Sequence, residues 1–123
     1  MTHEELIHEF LRRSDADDVD GLLELFTDDC SYLTVLLDRD VSGKAELGDF
    51  FRRHLGNWHS HREWATSVIV EGDVAGSELH FEGVTTAGRE AVLHTLNVWD
   101  FAGGRIRRIR VYADTAPLVA AFA

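Results

Sequence analysis

The sequence of 123 residues has little cysteine, little proline and no long hydrophobic run. A single cysteine, Cys30, excludes a disulfide within the chain. No apolar stretch reaches the roughly 18 residues that a membrane-spanning helix requires, so we expect no membrane partner. The first ten residues, MTHEELIHEF, carry acids where a signal peptide has bases and an apolar core. Length and these absences together predict one globular domain over residues 1–123, in a reducing cytoplasm.

Positive charge is also scarce, with 12 Lys and Arg against 22 Asp and Glu. Residues 1–50 hold 14 acids and 4 bases, a net charge of −10, and the remainder is balanced. Because nucleic-acid binding needs a basic surface, we expect no nucleic-acid partner. The one arginine-rich run, GGRIRRIRVYAD (103–114), has the pattern of a strand. On it Ile106, Arg108 and Arg110 are predicted to share one face, with Arg107 on the other, so the arginines can pair with nearby acids.

The order of elements predicts an α+β fold. Residues 1–57 show helical periodicity and cap signals, including Thr2 and Glu5 at capping-box spacing and Ser42 before a third helix. We expect helix 2 to include Phe26 and the first strand to follow over CSYLTVLL (30–37). From residue 61 four strands separated by turns follow, over 61–70, 74–83, 89–101 and 105–113. Three N-terminal helices against a curved, mostly antiparallel sheet would form a cone-shaped α+β barrel around an apolar pocket.

Four stretches carry a resemblance to a known family: DVDGLLELFTDDCSY (18–32), SGKAELGDFF (42–51), VEGDVA (70–75) and WDFAGGRIRRIRVYAD (99–114). In order and spacing they resemble the SnoaL-like and ketosteroid-isomerase-like branch of the nuclear-transport-factor-2-like superfamily. The resemblance covers nearly the whole chain. It implies chemistry without a cofactor or metal, a small hydrophobic ligand and a homodimer formed through the outer sheet face. It does not select one reaction, because members of the family differ in activity.

The resemblance also places family site residues on this sequence. The general-base aspartate of ketosteroid isomerases falls on Thr34, and their oxyanion tyrosine falls on Phe10. Their second oxyanion donor falls on Leu96 or Asn97, and Asn97 would keep a hydrogen-bond donor. The catalytic aspartate of SnoaL cyclases and limonene-type epoxide hydrolases falls on Val111. The resemblance therefore implies a pocket at these positions without the acids of either mechanism.

The row SELHFEG (77–83) leaves two orientations open. Glu78, His80 and Glu82 alternate along a strand and share one face, while Leu79 and Phe81 share the other. If His80 faces the cavity, the flanking carboxylates make it a strong general base. If Leu79 and Phe81 face inward, the charged row is a solvated outer face or a dimer surface.

Other candidates are predicted to lie at the pocket or near it. Tyr32 shares a strand face with Thr34 and either donates a hydrogen bond to a substrate oxygen or packs in the core. Asp38 and Asp40 lie in the loop at the expected cavity mouth, where Asp38 is a candidate acid–base residue if buried. Further substrate contacts are expected from aromatic and polar residues: Phe51, Trp64, Thr95 and Trp99. His59 and His61 have metal-ligand spacing, but a site needs a third ligand, so no metal is expected.

Two functions follow as hypotheses. The first is a cofactor-independent acid–base enzyme, an isomerase, cyclase, dehydratase or epoxide hydrolase, acting on a polyketide-, terpene- or steroid-like molecule. In it Tyr32 and Asn97 polarise an oxygen, while His80 or Asp38 moves the proton. The second is a non-catalytic ligand-binding or dimeric interaction domain of the same fold.

Overall fold

A curved, unclosed sheet of six strands forms the main body of the structure, a computed structural model that describes residues 1–37 and 39–123. The strands are β1 (Phe26–Thr34), β2 (Val41–Ser42), β3 (Trp58–Glu71), β4 (Val74–Thr85), β5 (Glu90–Ala102) and β6 (Arg105–Ala113). The helices are α1 (His3–Asp15), α2 (Val19–Glu24), α3 (Gly43–Gly56) and α4 (Ala116–Ala121). Strand order is β2-β1-β6-β5-β4-β3, and only β1 and β6 pair in parallel. The predicted α+β class is confirmed.

Helices α1 and α3 begin where the sequence predicted, after Thr2 and Ser42, although the Ser42 side chain makes no cap hydrogen bond within the described residues. Thr2 and Glu5 form a reciprocal capping box, in which the Glu5 N–H donates to Thr2 Oγ1 at 3.1 Å and the Thr2 N–H donates to Glu5 Oε1 at 2.9 Å. Asp18 caps α2, because its carboxylate accepts from the Gly21 N–H at 2.9 Å. The buried stripe of α1 faces the sheet and consists of Leu6, Ile7, Phe10 and Leu11.

Strand β4 fixes which sheet face meets the helices. Buried and exposed residues alternate along it, and the buried set contains Ala75, Ser77, Leu79, Phe81 and Thr85. Leu79 and Phe81 therefore face inward, and the row Glu78, His80 and Glu82 lies on the outer face. The outcome follows from hydrophobic burial, since the inner face of β4 carries the larger apolar side chains.

Two sequence-based predictions about local structure were wrong. Phe26 does not end α2; it begins β1, because the Ile106 N–H donates to the Leu25 carbonyl at 2.8 Å and Phe26 pairs with Ile106. Ile106 does not share the outer face with Arg108 and is fully buried. Asp100 pairs with Arg108 and the next residue of β5, Phe101, pairs with Ile106, so β6 carries one extra residue between the two pairs. This irregularity turns Ile106 inward, which strict alternation along β6 does not predict.

The arginines of β6 are paired with acids. Arg108 bonds to Asp40 and Arg110 to Asp100, each at 3.2 Å, so this part of the prediction is confirmed. Among residues 1–37 and 39–123, no helix is long and apolar enough to cross a membrane.

Candidate active site

A cavity lies between the inner sheet face and the helices α1, α3 and α4. The volume of the cavity is about 90 Å³. Most of the wall is apolar and includes Phe10, Phe50, Phe51, Leu55, Phe81, Leu93 and Val111. The polar part of the wall includes Tyr32, Thr34, His54, Trp58, Glu63, Thr95 and Asn97. An apolar wall with a few polar groups is the usual form of a small-molecule site.

Glu63 is the only carboxylic acid in the cavity lining formed by the described residues. Its inward direction follows from strand pairing, because Glu63 lies opposite Phe81, which faces inward. Burial raises the pKa of Glu63 to about 7, and the nearby charge of Asp15 contributes in the same direction. A carboxyl group with this pKa exchanges protons near neutral pH and can act as either base or acid.

The backbone of Glu63 is fixed by the end of α1. Its N–H donates to Asp15 Oδ1 at 2.9 Å. Two residues away on the same strand face, His61 contacts Asp17 Oδ1 through Nε2 at 2.6 Å. Asp15, the last residue of α1, and Asp17, two residues beyond it, therefore hold β3 at the point where Glu63 enters the cavity.

Asn97 supplies an amide to the opposite wall. It is 5% exposed, and the Thr95 hydroxyl donates to its Oδ1 at 3.1 Å. This bond uses the carbonyl oxygen of the side chain, so the amide nitrogen can donate into the cavity.

Tyr32 and Trp58 are two further donors in the wall. Burial, with a smaller contribution from the charge of Glu63, raises the pKa of Tyr32, so its hydroxyl keeps its proton. The indole N–H of Trp58 is buried and has no hydrogen-bond partner within the described part of the chain. A buried donor without a partner is uncommon in folded proteins, and a ligand or water in the cavity would satisfy it.

His54 lies on the α3 side of the cavity. Its ring stacks on Phe50, with 5.7 Å between ring centroids. Burial lowers the pKa of His54, with a smaller effect from His61, so the imidazole is neutral at neutral pH. His54 therefore adds a polar group to the wall without adding a charge.

Most of the predicted pocket residues do meet at this cavity. Its lining contains Phe10, Tyr32, Thr34, Phe51, Thr95, Asn97 and Val111. Their roles toward a ligand stay predictions. Asp38 lies outside the described residues, and Asp40 bonds to Arg108 rather than entering the cavity.

Three predicted site residues are placed elsewhere. His80 and Trp64 are opposite each other on the outer face, with ring centroids 4.4 Å apart. His80 also contacts Glu82 through Nε2 at 3.1 Å, so the orientation with His80 in the cavity is wrong. Trp99 lies in the core behind the cavity, where its N–H donates to Ser77 Oγ at 2.9 Å. It packs edge-to-face on Phe10.

Signals for the residues that the sequence analysis missed were weak. Glu63 stands in HREWATSV, which carries polar residues on both strand faces, so its direction could not be read from alternation. A signal was present in the pairing of strands, because residues directly opposite each other share a face of the sheet. Since Phe81 on β4 faces inward, its partner on β3, Glu63, also faces inward. Trp58 was missed because β3 begins at residue 58 rather than 61.

The profile of the SnoaL-like domain family matches residues 7–109, which is most of the chain. The chain belongs to the SnoaL-like domain family. No curated protein sequence shows significant similarity to it.

Solved structures share the fold of this SnoaL-like domain at low sequence identity. One is a nuclear-transport-factor-2-like protein of unknown function from Burkholderia pseudomallei, 20% identical, with a TM-score of 0.86 over 96% of this chain and 95% of that one. A protein with a ketosteroid-isomerase-like fold from Catenulispora acidiphila, in complex with trimethylamine, is 16% identical, with a TM-score of 0.87 over 98% and 93%. A candidate SnoaL-like polyketide cyclase from a Jannaschia species is 16% identical, with a TM-score of 0.84 over 96% and 89%. At these identities the likeness shows the fold alone.

Proposed function

We propose that this SnoaL-like domain is a cofactor-independent enzyme that moves a proton on a small, mostly apolar, oxygen-containing molecule. The observation that carries the proposal is Glu63, a cavity carboxyl whose pKa is raised to about 7. It takes the role that sequence analysis gave to His80 or Asp38. The Jannaschia neighbour, a candidate polyketide cyclase, is compatible with chemistry of this kind on the same fold.

In the proposed reaction the Glu63 carboxylate removes a proton from a carbon beside a carbonyl group. The electron pair of the broken C–H bond moves toward the carbonyl oxygen, forming an enolate. Hydrogen bonds from Asn97 and Tyr32 stabilise the charge that develops on this oxygen. In a substrate with a β,γ double bond the enolate is conjugated, and return of the proton from Glu63 to the γ-carbon completes an isomerisation. In a β-hydroxy ketone, loss of the hydroxyl together with that proton, as water, completes a dehydration.

The wall around these groups suits this chemistry. Phe50, Phe51 and Phe81 line the same cavity as Glu63, and an apolar wall disfavours the charged form of a carboxyl group. The cavity also limits substrate size. Its volume of about 90 Å³ is well below the roughly 300 Å³ at which pockets for drug-sized ligands begin, so the cavity suits a small reacting group rather than a whole polycyclic molecule.

A matched pair of variants tests this function. The rate of α-proton exchange of cyclohexanone in deuterated water is followed by proton NMR for the wild type, Glu63→Gln and Glu82→Gln. Glu82 lies on the outer face of β4 and is the control. We expect the Glu63 substitution to slow enzyme-dependent exchange by on the order of 100-fold or more, as for loss of a general base. Equal rates in all three proteins would contradict the proposal.

A non-catalytic binding domain is the second candidate. It is favoured by Thr34 and Val111, which line the cavity where the resembled enzymes carry acids. This function predicts that the wild type binds small ketones without accelerating their exchange, and that Glu63→Gln leaves the affinity unchanged.

We also propose a homodimer through the outer sheet face. Val92, Leu96 and Tyr112 are exposed apolar side chains on the adjacent strands β5 and β6, as expected for a contact surface. Sedimentation equilibrium should show a dimer for the wild type and a monomer for Leu96→Glu. A wild type that is monomeric at tens of micromolar would contradict this.

A further inference from the structure

The cavity reaches the protein surface at the turn after β1. Val35 and Leu36 both line the cavity, yet 45% and 46% of their surfaces are exposed. A surface groove lies beside this opening, between the end of α3 and α4. Four residues line both the cavity and the groove: Leu36, His54, Trp58 and Leu118. The two spaces therefore share one wall.

The groove is apolar and exposed. Val119 and Phe122, which complete its far side with Asn57, are 67% and 50% exposed. No Asp, Glu, Lys or Arg belongs to the groove lining formed by residues 1–37 and 39–123, and His54 is neutral as described above. Leu36 and Val119 are 83 positions apart in the sequence, so the fold brings separate exposed apolar segments together at one place. Exposed apolar surface of this kind commonly marks a binding site.

The wall of the groove is anchored to the rest of the fold. Ala121 of α4 is buried in a cluster with Trp58 and Phe81. The guanidinium of Arg89 donates to the carbonyl oxygens of Ala120, at 3.4 Å, and Ala123. Phe122 packs edge-to-face on Trp58, with 5.3 Å between ring centroids. The groove is thus formed before any ligand arrives, which lowers the entropic cost of binding.

We propose that this groove is a second subsite, which binds the apolar tail of a substrate whose carbonyl head lies in the cavity. The inference rests on the proposed function for the head and adds a second part to the substrate class: a small oxygenated head joined to an alkyl or aryl tail. The four shared lining residues place the groove directly beside the cavity, so the occupant within reach of the groove is the tail of the molecule whose head lies in the cavity. The small cavity agrees with this, since it holds the head and leaves the tail outside.

A series of methyl ketones tests the subsite. The dissociation constants of 2-butanone, 2-hexanone, 2-octanone and 2-decanone are measured by isothermal titration calorimetry. Once the tail enters the groove, each further methylene should tighten binding by up to about fourfold, the usual gain for burying a methylene group. Val119→Ser should weaken the binding of 2-decanone by at least about threefold, since it removes apolar contact. The same variant should leave the affinity for 2-butanone unchanged.

Ile69→Ser is the matched control, because Ile69 is a β-branched residue that is 72% exposed and lies outside the groove. Thermal unfolding of each variant shows that the fold is intact. Phe122→Ser is a second groove variant with the same expected pattern. The inference is overturned if affinity does not rise with tail length, if no ketone of the series binds, or if Ile69→Ser weakens 2-decanone as much as Val119→Ser does.

These outcomes differ from failure of the proposed function. Length-dependent binding that Val119→Ser reduces, without any effect of Glu63→Gln on proton exchange, supports the subsite and contradicts the catalysis. Exchange that depends on Glu63, with an affinity that does not change with tail length, supports the catalysis and contradicts the subsite.

Discussion

The backbone N–H of Glu63 donates a hydrogen bond to the carboxylate of Asp15 at 2.9 Å. This bond ties the cavity acid on β3 to the end of α1 and places a second carboxylate near it. Burial also raises the pKa of Asp15. Two neighbouring acids therefore have raised pKa values, Glu63 in the cavity lining and Asp15 at the end of α1.

The first prediction concerns stability. The pKa of Glu63 rises from 4.5 when unfolded to about 7 when folded. Between these values the folded state holds a proton that the unfolded state has lost, so the free energy of unfolding falls as pH rises through this window. At about 1.36 kcal/mol per pKa unit, the loss is roughly 3 kcal/mol above pH 7. Glu63→Gln removes the carboxyl group that causes this loss. The variant should therefore be more stable than the wild type at pH 8 but not at pH 4, as measured by urea unfolding.

Glu9→Gln provides a contrast of opposite sign. Hydrogen bonds from Arg12 and Arg13 lower the pKa of Glu9 to about 2. The contribution of Glu9 to the free energy of unfolding is therefore present above pH 4.5 and is lost as pH falls toward 2. Glu9→Gln should for this reason lower the stability at pH 8. A Glu63→Gln variant that gains nothing at pH 8 relative to pH 4 would contradict the burial of this carboxyl group.

The second prediction separates the charge of Asp15 from its hydrogen bond. Asp15→Asn keeps an oxygen that accepts from the Glu63 N–H but removes the negative charge. We expect the pKa of Glu63 to fall, measured by carbon-13 NMR titration of its carboxyl group. Asp17→Asn is the control, since Asp17 bonds to His61. An unchanged pKa of Glu63 in Asp15→Asn would show that Asp15 acts only through the backbone.

The third prediction compares two buried tryptophans. The N–H of Trp99 bonds to the buried Ser77, whereas the N–H of Trp58 has no partner among the residues the structure describes. Trp99→Phe should therefore cost about 1–2 kcal/mol more in the free energy of unfolding than Trp58→Phe, because it leaves Ser77 unpaired. Denaturant unfolding of both variants measures the difference. Equal losses would argue against the Trp99–Ser77 bond.

A fourth prediction concerns His80. Because it lies on the outer face against Trp64 and Glu82, His80→Ala should retain the cyclohexanone exchange rate of the wild type within about twofold, a small effect beside the loss of a general base. A drop comparable to that of Glu63→Gln would place His80 in the catalytic machinery and contradict the site described here.

The sequence predicted much of the fold because its local signals agree with one another. The Thr2–Glu5 capping box and the bounds of β6 were both predicted correctly. The ends of β1 were not, because the pairing of Phe26 with Ile106 comes from a segment 80 positions away. Long-range pairing of this kind overrides local propensity.

The wall of the site was easier to predict than its chemistry. Asn97 was found because the family resemblance placed a donor at Leu96 or Asn97, and Tyr32 because it shares a strand face with Thr34. Glu63 was not assigned, since its direction depends on the register of β3 against β4. That register contains two irregularities, between Trp58 and Ser60 and between Ala65 and Ser67. The raised pKa of Glu63 depends on its burial, which no single sequence position encodes.

The most direct test of the central claim is the pH dependence of α-proton exchange in cyclohexanone, measured from pH 5 to pH 9. If the ionised carboxylate of Glu63 is the base, the enzyme-dependent rate should rise with pH and level off, with a midpoint near the pKa of about 7. Glu63→Gln should abolish this dependence. A wild-type rate that is flat across this range, or that Glu63→Gln reproduces, would contradict the assignment of Glu63 as the proton-transferring group.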